Sequence, residues 1–465
     1  MAKETAAANA DKMGSMPIPK LLFSMAVPMM LSMMMNALYN VVDSVFVARL
    51  SEDALTAVSL AFPLQNIMIS VGVGLGVGVS ALVARMLGQG EQEKANRYAM
   101  QGVLLASLFY VIFLIVGLFF LPLYVTSQVD TTLENAQVVI DGCISYLRIC
   151  CLLSFGLMLT TLMEKLLNAT GRTMYTMGIQ MLGAITNIIL DPILIFGLLG
   201  APKLGVAGAA WATVIGQILS GVTGLLLNLR KNHDIQFHTA NLHPDGQRIK
   251  EILAISVPSI LMASIGSILT FFLNIILYGF SSTAVAVYGI YFKLQSFVFM
   301  PIFGLNSGMV PIISYNYGAR NRERIHQTVR LAMASAVSIM LIGLAVFNLM
   351  PEQLLKMFDA SEDMMGIGIP AMRTMSLSFC FAGICIICSS TCQAFGYAVY
   401  SLLVSVARQL VVLLPCAYLL SLTGEVSAIW WAWPIAELMS LAVSLLLLRR
   451  VYRRTGMSMK AAATA

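Results

Sequence analysis

Two aspartates stand inside stretches otherwise apolar enough to cross a membrane: Asp43 in NALYNVVDSVF and Asp191 in TNIILDPILIF. A charged side chain there costs about 3 kcal/mol or more, so each is expected to serve a function. Tyr39 precedes Asp43 by one helical turn, and Asn187 precedes Asp191 by one turn, which puts each on its carboxylate's own helical face. Asn36, Asn40 and Ser44 add polar groups around the first aspartate, and Pro192 leaves a backbone carbonyl available beside the second. Two carboxylates sharing an apolar site cannot both ionise cheaply, so the pair is expected to take up a proton or a small cation. Na+ at Asp43, Asn187 and Asp191 is the metal-ion version of that expectation. A plainer role, each aspartate hydrogen-bonded to its own asparagine to hold helices together, uses the same residues.

The second half of the chain lacks this pair. Asp43 corresponds to Leu273 and Asp191 falls against Leu414, while Lys293, Arg373, Arg408 and Glu437 stand in apolar stretches of their own, with Asn274 and Gln295. Glu437 answers Gln217. Lys293 lies deep enough to neutralise a substrate acid or pair with Glu437, though a lysine can also snorkel to the interface. Asn36, Asn40, Gln65, Asn274, Lys293, Gln295, Arg408 and Glu437 are therefore the candidates for a substrate cavity. All eight cysteines lie in apolar segments, and Cys385, Cys388 and Cys392 on one helical face read as small core residues rather than metal ligands. Gly72, Gly74, Gly76 and Gly78 in SVGVGLGVGVS have no preceding strand, so they read as sites of close helix contact and not as a nucleotide loop. No Walker motif, catalytic triad or metal cluster is recognisable, and neither an enzyme nor a cofactor is expected.

The elements that position these residues follow from composition. With 58% hydrophobic and 11% charged residues and a mean hydropathy of +0.84, the chain is no water-soluble globule. Apolar runs bounded by charge predict twelve spans near 20–48, 55–84, 98–122, 141–164, 173–198, 205–229, 251–277, 285–314, 329–350, 367–392, 400–420 and 426–448. The first residues, MAKETAAANAD, precede no signal-peptide pattern. With the amino terminus inside, 21 Lys and Arg fall in inner segments and only Arg49, Lys203 and Lys356 in outer ones, which places both termini in the cytoplasm. The clusters are short and sit at helix ends, so no nucleic-acid partner is expected.

An internal repeat organises the spans. Val27-Pro28 recurs as Val257-Pro258, Gln65 as Gln295 and Gly88 as Gly318, each 230 positions on. NATG ending at Gly171 answers QAFG ending at Gly396, and Pro192 answers Pro415. Halves of six helices each make a parallel duplication. The expected organisation is a cytoplasmic segment 1–19, a lobe over 20–229, a cytoplasmic loop 230–250, a second lobe over 251–448 and a cytoplasmic tail 449–465. Two lobes of this kind suggest a cleft that opens alternately to either side. Pro28, Pro63, Pro192, Pro258, Pro301, Pro415 and Pro434 are expected to interrupt helices in the interior.

These strings together resemble the multidrug and toxic compound extrusion (MATE) family, and within it a bacterial branch like the MepA and DinF types. The resemblance runs from PIPKLLFSMAVPMMLSMMMNALYNVVDSVFV through ARMLGQGEQEKANR to YGIYFKLQSFVFMPIFGLNSGMVPIISYNYGARNRERI. It implies an all-α, twelve-helix, two-lobe transporter of the bacterial cytoplasmic membrane, a monomer exporting diverse, often cationic and amphipathic drug-like compounds by H+ or Na+ antiport. It also implies a cation site in the first lobe, at positions matching Tyr39, Asp43, Tyr146, Asn187, Asp191 and Thr213. The acidic residues that NorM-like members carry in the seventh and eighth helices are missing. The 31 methionines suit an adaptable cavity and equally an ordinary core. The rival expectation is a flippase for a lipid-linked or other amphiphilic metabolite. A passive channel would have no use for duplicated lobes with an unequal acidic site.

Overall fold

The computed structural model describes residues 12–127, 136–238, 242–358 and 360–457; the expected terminal segments at 1–11 and 458–465 lie outside the described residues. Every regular element among the described residues is helical. The first half contributes α1 (Ile18–Ala48), α2 (Glu52–Gly88), α3 (Gln92–Ile115), α4 (Ala136–Leu152), α5 (Phe155–Ala169), α6 (Thr173–Phe196) and α7 (Val206–Lys231). The second contributes α8 (Gly246–Tyr278), α9 (Ser282–Gly318), α10 (Arg322–Leu349), α11 (Glu362–Ser376), α12 (Phe379–Ala394), α13 (Ala398–Val406), α14 (Leu414–Ser421) and α15 (Ala432–Arg454). Ten spans are long and apolar enough to cross a membrane, and the bent pairs α4 with α5 and α11 with α12 raise the number to 12. The chain is a multi-pass, all-α membrane protein. Its helices outrun the apolar windows because they continue into charged turns, as α2 does through Arg85 and α10 from Arg322.

Five of the seven prolines do not break helices as expected, while Pro415 and Pro434 stand in the first turns of α14 and α15, just past a break. α1, α2, α6, α8 and α9 run unbroken through Pro28, Pro63, Pro192, Pro258 and Pro301. The sharp bends, 49° between α4 and α5 and 45° between α11 and α12, fall instead at Ser154 and Ser378. Both serines are buried, and the Ser378 hydroxyl donates back to the Met375 carbonyl at 2.6 Å. At Ser378 this hydroxyl competes for a helix carbonyl and opens the backbone ladder, whereas the Ser154 hydroxyl is buried without a partner.

Two compact units emerge, one holding Leu31–Ile260 and the other Lys12–Met30 with the chain from Leu261 onward. Each of α1 and α8 therefore begins in one unit and ends in the other. Glycine makes this possible. In the first unit a Cβ on Gly74 would lie 2.9 Å from the Ile260 nitrogen, and one on Gly78 2.9 Å from the Ile252 carbonyl oxygen. In the second unit Gly304 and Gly308, each 230 positions on, meet the backbone of Met30 and Ala26 in the same way. The start of α8 lies on α2, and the start of α1 lies on α9, with no room for a side chain between backbones.

Candidate cation and substrate sites

The first unit gathers the acidic residues. Asp191 on α6 is fully buried, Asp43 on α1 is half-buried, and their carboxyl groups lie within hydrogen-bonding reach of each other. Asn187, one turn before Asp191, bridges to α7: its carboxamide nitrogen donates to Asp191 Oδ2 at 3.1 Å while its oxygen accepts from the Thr213 hydroxyl at 3.2 Å. Tyr39 lies close to both carboxyls, and Tyr146 on α4 stands near Asp43 and Tyr39. The Tyr146 hydroxyl reaches Gln65 Oε1 on α2 at 3.4 Å. All six residues of the expected cation site are thus brought together, and Gln65 joins them. Cys150, one turn beyond Tyr146, also faces the cluster. Sequence reasoning passed over it as a core residue; its one-turn spacing from Tyr146 is the signal that would have found it.

The chemistry of this donor set suits a hard monovalent cation or a proton. Two carboxylates, a carboxamide, a hydroxyl and phenols are oxygen ligands. Asp43 Oδ1 is buried without a hydrogen-bond partner, an acceptor left open for an ion. A cavity of 350 Å³ lies between α2, α4 and α7, bordered by Leu50, Asp53, Asp141, Ser145 and Val206; none of the six cluster residues lines it. Asn36 is half-buried and Asn40 exposed on the same helix, where the Asn40 carbonyl accepts from the Ser44 hydroxyl at 2.8 Å.

The second unit holds a different centre. Arg408 Nη1 donates to Glu437 Oε1 at 2.7 Å. Lys293 is exposed, so the expected alternative of a Lys293–Glu437 pair is replaced by Arg408, which the π-helical turn Ala407–Leu413 brings round to α15. Pro415, just past that turn, has no N–H to give a regular helix, and the wider turn accommodates the loss. Asn274 and Gln295 are half-buried. Cys385, Cys388 and Cys392 are free and buried, and no cluster of three metal-ligating side chains occurs among the described residues.

Comparison with known proteins extends this picture. The MatE family model matches residues 28–193 and 258–419. The multidrug export protein MepA of Staphylococcus haemolyticus is 26% identical over 420 residues, 90% of each chain. That of a Staphylococcus aureus strain is 25% identical over 427 residues, covering 90% of this chain and 91% of the relative. Among solved structures, a MATE protein in complex with the ligand MaL6 superposes with a TM-score of 0.90 at 25% identity, covering 97% of this chain and 99% of that one. An outward-facing multidrug resistance MATE transporter gives 0.88 at 25% identity over 95% and 97%.

Proposed function

The chain belongs to the MatE family, and from that premise we propose that it is an ion-coupled multidrug exporter, driven by H+ or Na+ bound at Asp43 and Asp191. A transporter and not an enzyme, it needs no cofactor for this role. Its cargo is chemically diverse, amphipathic and often cationic. It works in the bacterial cytoplasmic membrane with both termini in the cytoplasm. The observation that carries the reading is the apposition of the two carboxyl groups in one unit, with Asn187 tying the second to Thr213.

The mechanism follows from the cost of burying charge. Two bare carboxylates in contact repel each other and have lost their water, whereas a proton shared between them, or a cation held by both, removes most of that cost. The packing of α1 against α6 then differs between the loaded and the empty pair. Substrate and coupling ion exclude each other without sharing a contact, since each need only prefer a different packing.

Ethidium movement in proteoliposomes under separately imposed H+ and Na+ gradients tests this. Asp43→Asn and Asp191→Asn should each keep dye binding and lose gradient-driven movement, and the double variant should be little worse than either, because residues acting as one unit are not additive. Near-normal coupled transport by either single variant would exclude the site. A flippase would ignore the dye under every gradient, and a channel would dissipate the gradient without uphill movement.

A further inference from the structure

We propose that Arg408 is a docking point for the oxyanion group of an amphipathic compound, a carboxylate, sulfonate or phosphate, with Glu437 as the resident counter-ion that such a group displaces. The proposal rests on the chain being a small-molecule transporter and adds anionic cargo to the cationic cargo above.

The pair is incomplete as a structural salt bridge. A single guanidinium nitrogen meets a single carboxylate oxygen at 2.7 Å, although the arginine fork is shaped to grip two oxygens at once. The other oxygen, Glu437 Oε2, is buried without a partner, and so is the Tyr291 hydroxyl close by on α9. The Glu437 side chain is 9% exposed and that of Arg408 24%. Burying an ion pair stabilises a protein only when the remaining lone pairs are satisfied, and here they are not. Arg408 stands well inside the apolar run Ala398–Ser421. A guanidinium there that faced lipid would cost several kcal/mol, so its open donors are placed for water or cargo. The π-helical turn that presents it is a geometry frequent at functional sites.

Charge sets the competition. The groups facing Glu437 are Arg408 on the π-helical turn, Tyr291 on α9 and Cys385 on α12, with Ser440 and Ser444 of α15 against the Cys385 thiol. An anion arriving on Arg408 must displace the glutamate carboxylate, so removing that carboxylate's charge should strengthen anion binding.

Binding of a dansylated alkylsulfonate to the purified full-length protein tests this, with the alcohol analogue as the uncharged control. The wild type should bind the sulfonate about tenfold tighter than the alcohol, and Glu437→Gln should bind it tighter still. Arg408→Gln should lose about tenfold or more, and the double variant Arg408→Gln/Glu437→Gln, which keeps the site neutral and so guards against misfolding, should lose as much. Wild-type sulfonate affinity in the double variant would overturn the proposal, as would weaker binding in Glu437→Gln. Gradient-driven ethidium transport by the wild type, read on the same preparation, tests the exporter reading separately from this site.

Discussion

Arg320 sits in the left-handed region with φ 57°, at the position where the first half, 230 residues earlier, has Gly90 with φ 76°. Both close the turn after the longest helix of their half, and only glycine takes that conformation without steric cost. Arg320→Gly is expected to raise the thermal midpoint, by about 0.5–1 kcal/mol net of the entropy that glycine adds to the unfolded chain, while Gly90→Ala should lower it by a similar amount. A scanning unfolding measurement in detergent reads both; equal signs for the two would refute the argument. At the proposed cation site, Thr213→Val removes the hydroxyl that Asn187 accepts from, and should weaken ion coupling by roughly fivefold to tenfold without loss of folding, the worth of one buried hydrogen bond. The half-maximal gradient for dye efflux measures it. Asp43 and Asp191 were legible in the sequence because a carboxylate in an apolar run has no bland explanation of equal weight. Tyr146 and Thr213 came only through the family resemblance, since a phenol or hydroxyl in a membrane helix carries no such signal. The partnership of Arg408 with Glu437 was illegible, because it depends on how far a π-helical turn rotates one helix against another.

The two glycine pairs make a sharper test at the level of elements. Gly78 and Gly308 sit where a methyl group would meet backbone, at 2.9 Å from the Ile252 oxygen in one unit and 2.8 Å from Ala26 Cα in the other. Gly178 in α6 and Gly266 in α8 have open space around them. Gly78→Ala and Gly308→Ala should therefore each cost about 1–3 kcal/mol, whereas Gly178→Ala and Gly266→Ala should be neutral or stabilise by up to about 1 kcal/mol, the helix propensity difference. Thermal midpoints of the four variants decide; a neutral Gly308→Ala would mean that α1 and α9 are not in backbone contact. The number and order of the spans were readable from apolar runs and charge clusters, because the bilayer sets their length. The bends were not. Proline draws attention as the breaker of helices, yet five of the seven lie within unbroken helices, and the serines at 154 and 378 that mark the bends look in sequence like any other small polar residue.

The duplication was visible at the scale of the whole chain as an offset that drifts only slightly, but the exchange of helix beginnings between the compact units was not, since it leaves the offset unaffected. The connection between the halves is also more structured than its polar sequence suggests. Asp234 and Ile235 are buried, Arg172 pairs with Asp234 at 3.1 Å, and Asn96 on α3 accepts from the Gln236 backbone at 2.8 Å. Burial pushes the Asp234 carboxyl above the ordinary carboxylate range, against the opposing pull of Arg172. The second unit repeats the device: His326, which stands where Asn96 stands in the first half, meets the Met457 carbonyl at 2.8 Å at the foot of α15. The basic clusters at Arg230, Lys231, Arg449, Arg450, Arg453 and Arg454 are expected on the cytoplasmic side, and the connection at Leu198–Gly205 on the outer side. An impermeant maleimide applied to intact cells should label Leu199→Cys, a residue 90% exposed in that outer connection. It should miss Lys231→Cys and His238→Cys, both exposed residues of the inner one, until the membrane is permeabilised. Testing exposed positions matters, because a cysteine at Asp234 or Ile235 would fail to react on either side for want of access. Ready labelling of Lys231→Cys in intact cells would invert the topology, and with it the direction in which the ion gradient drives export.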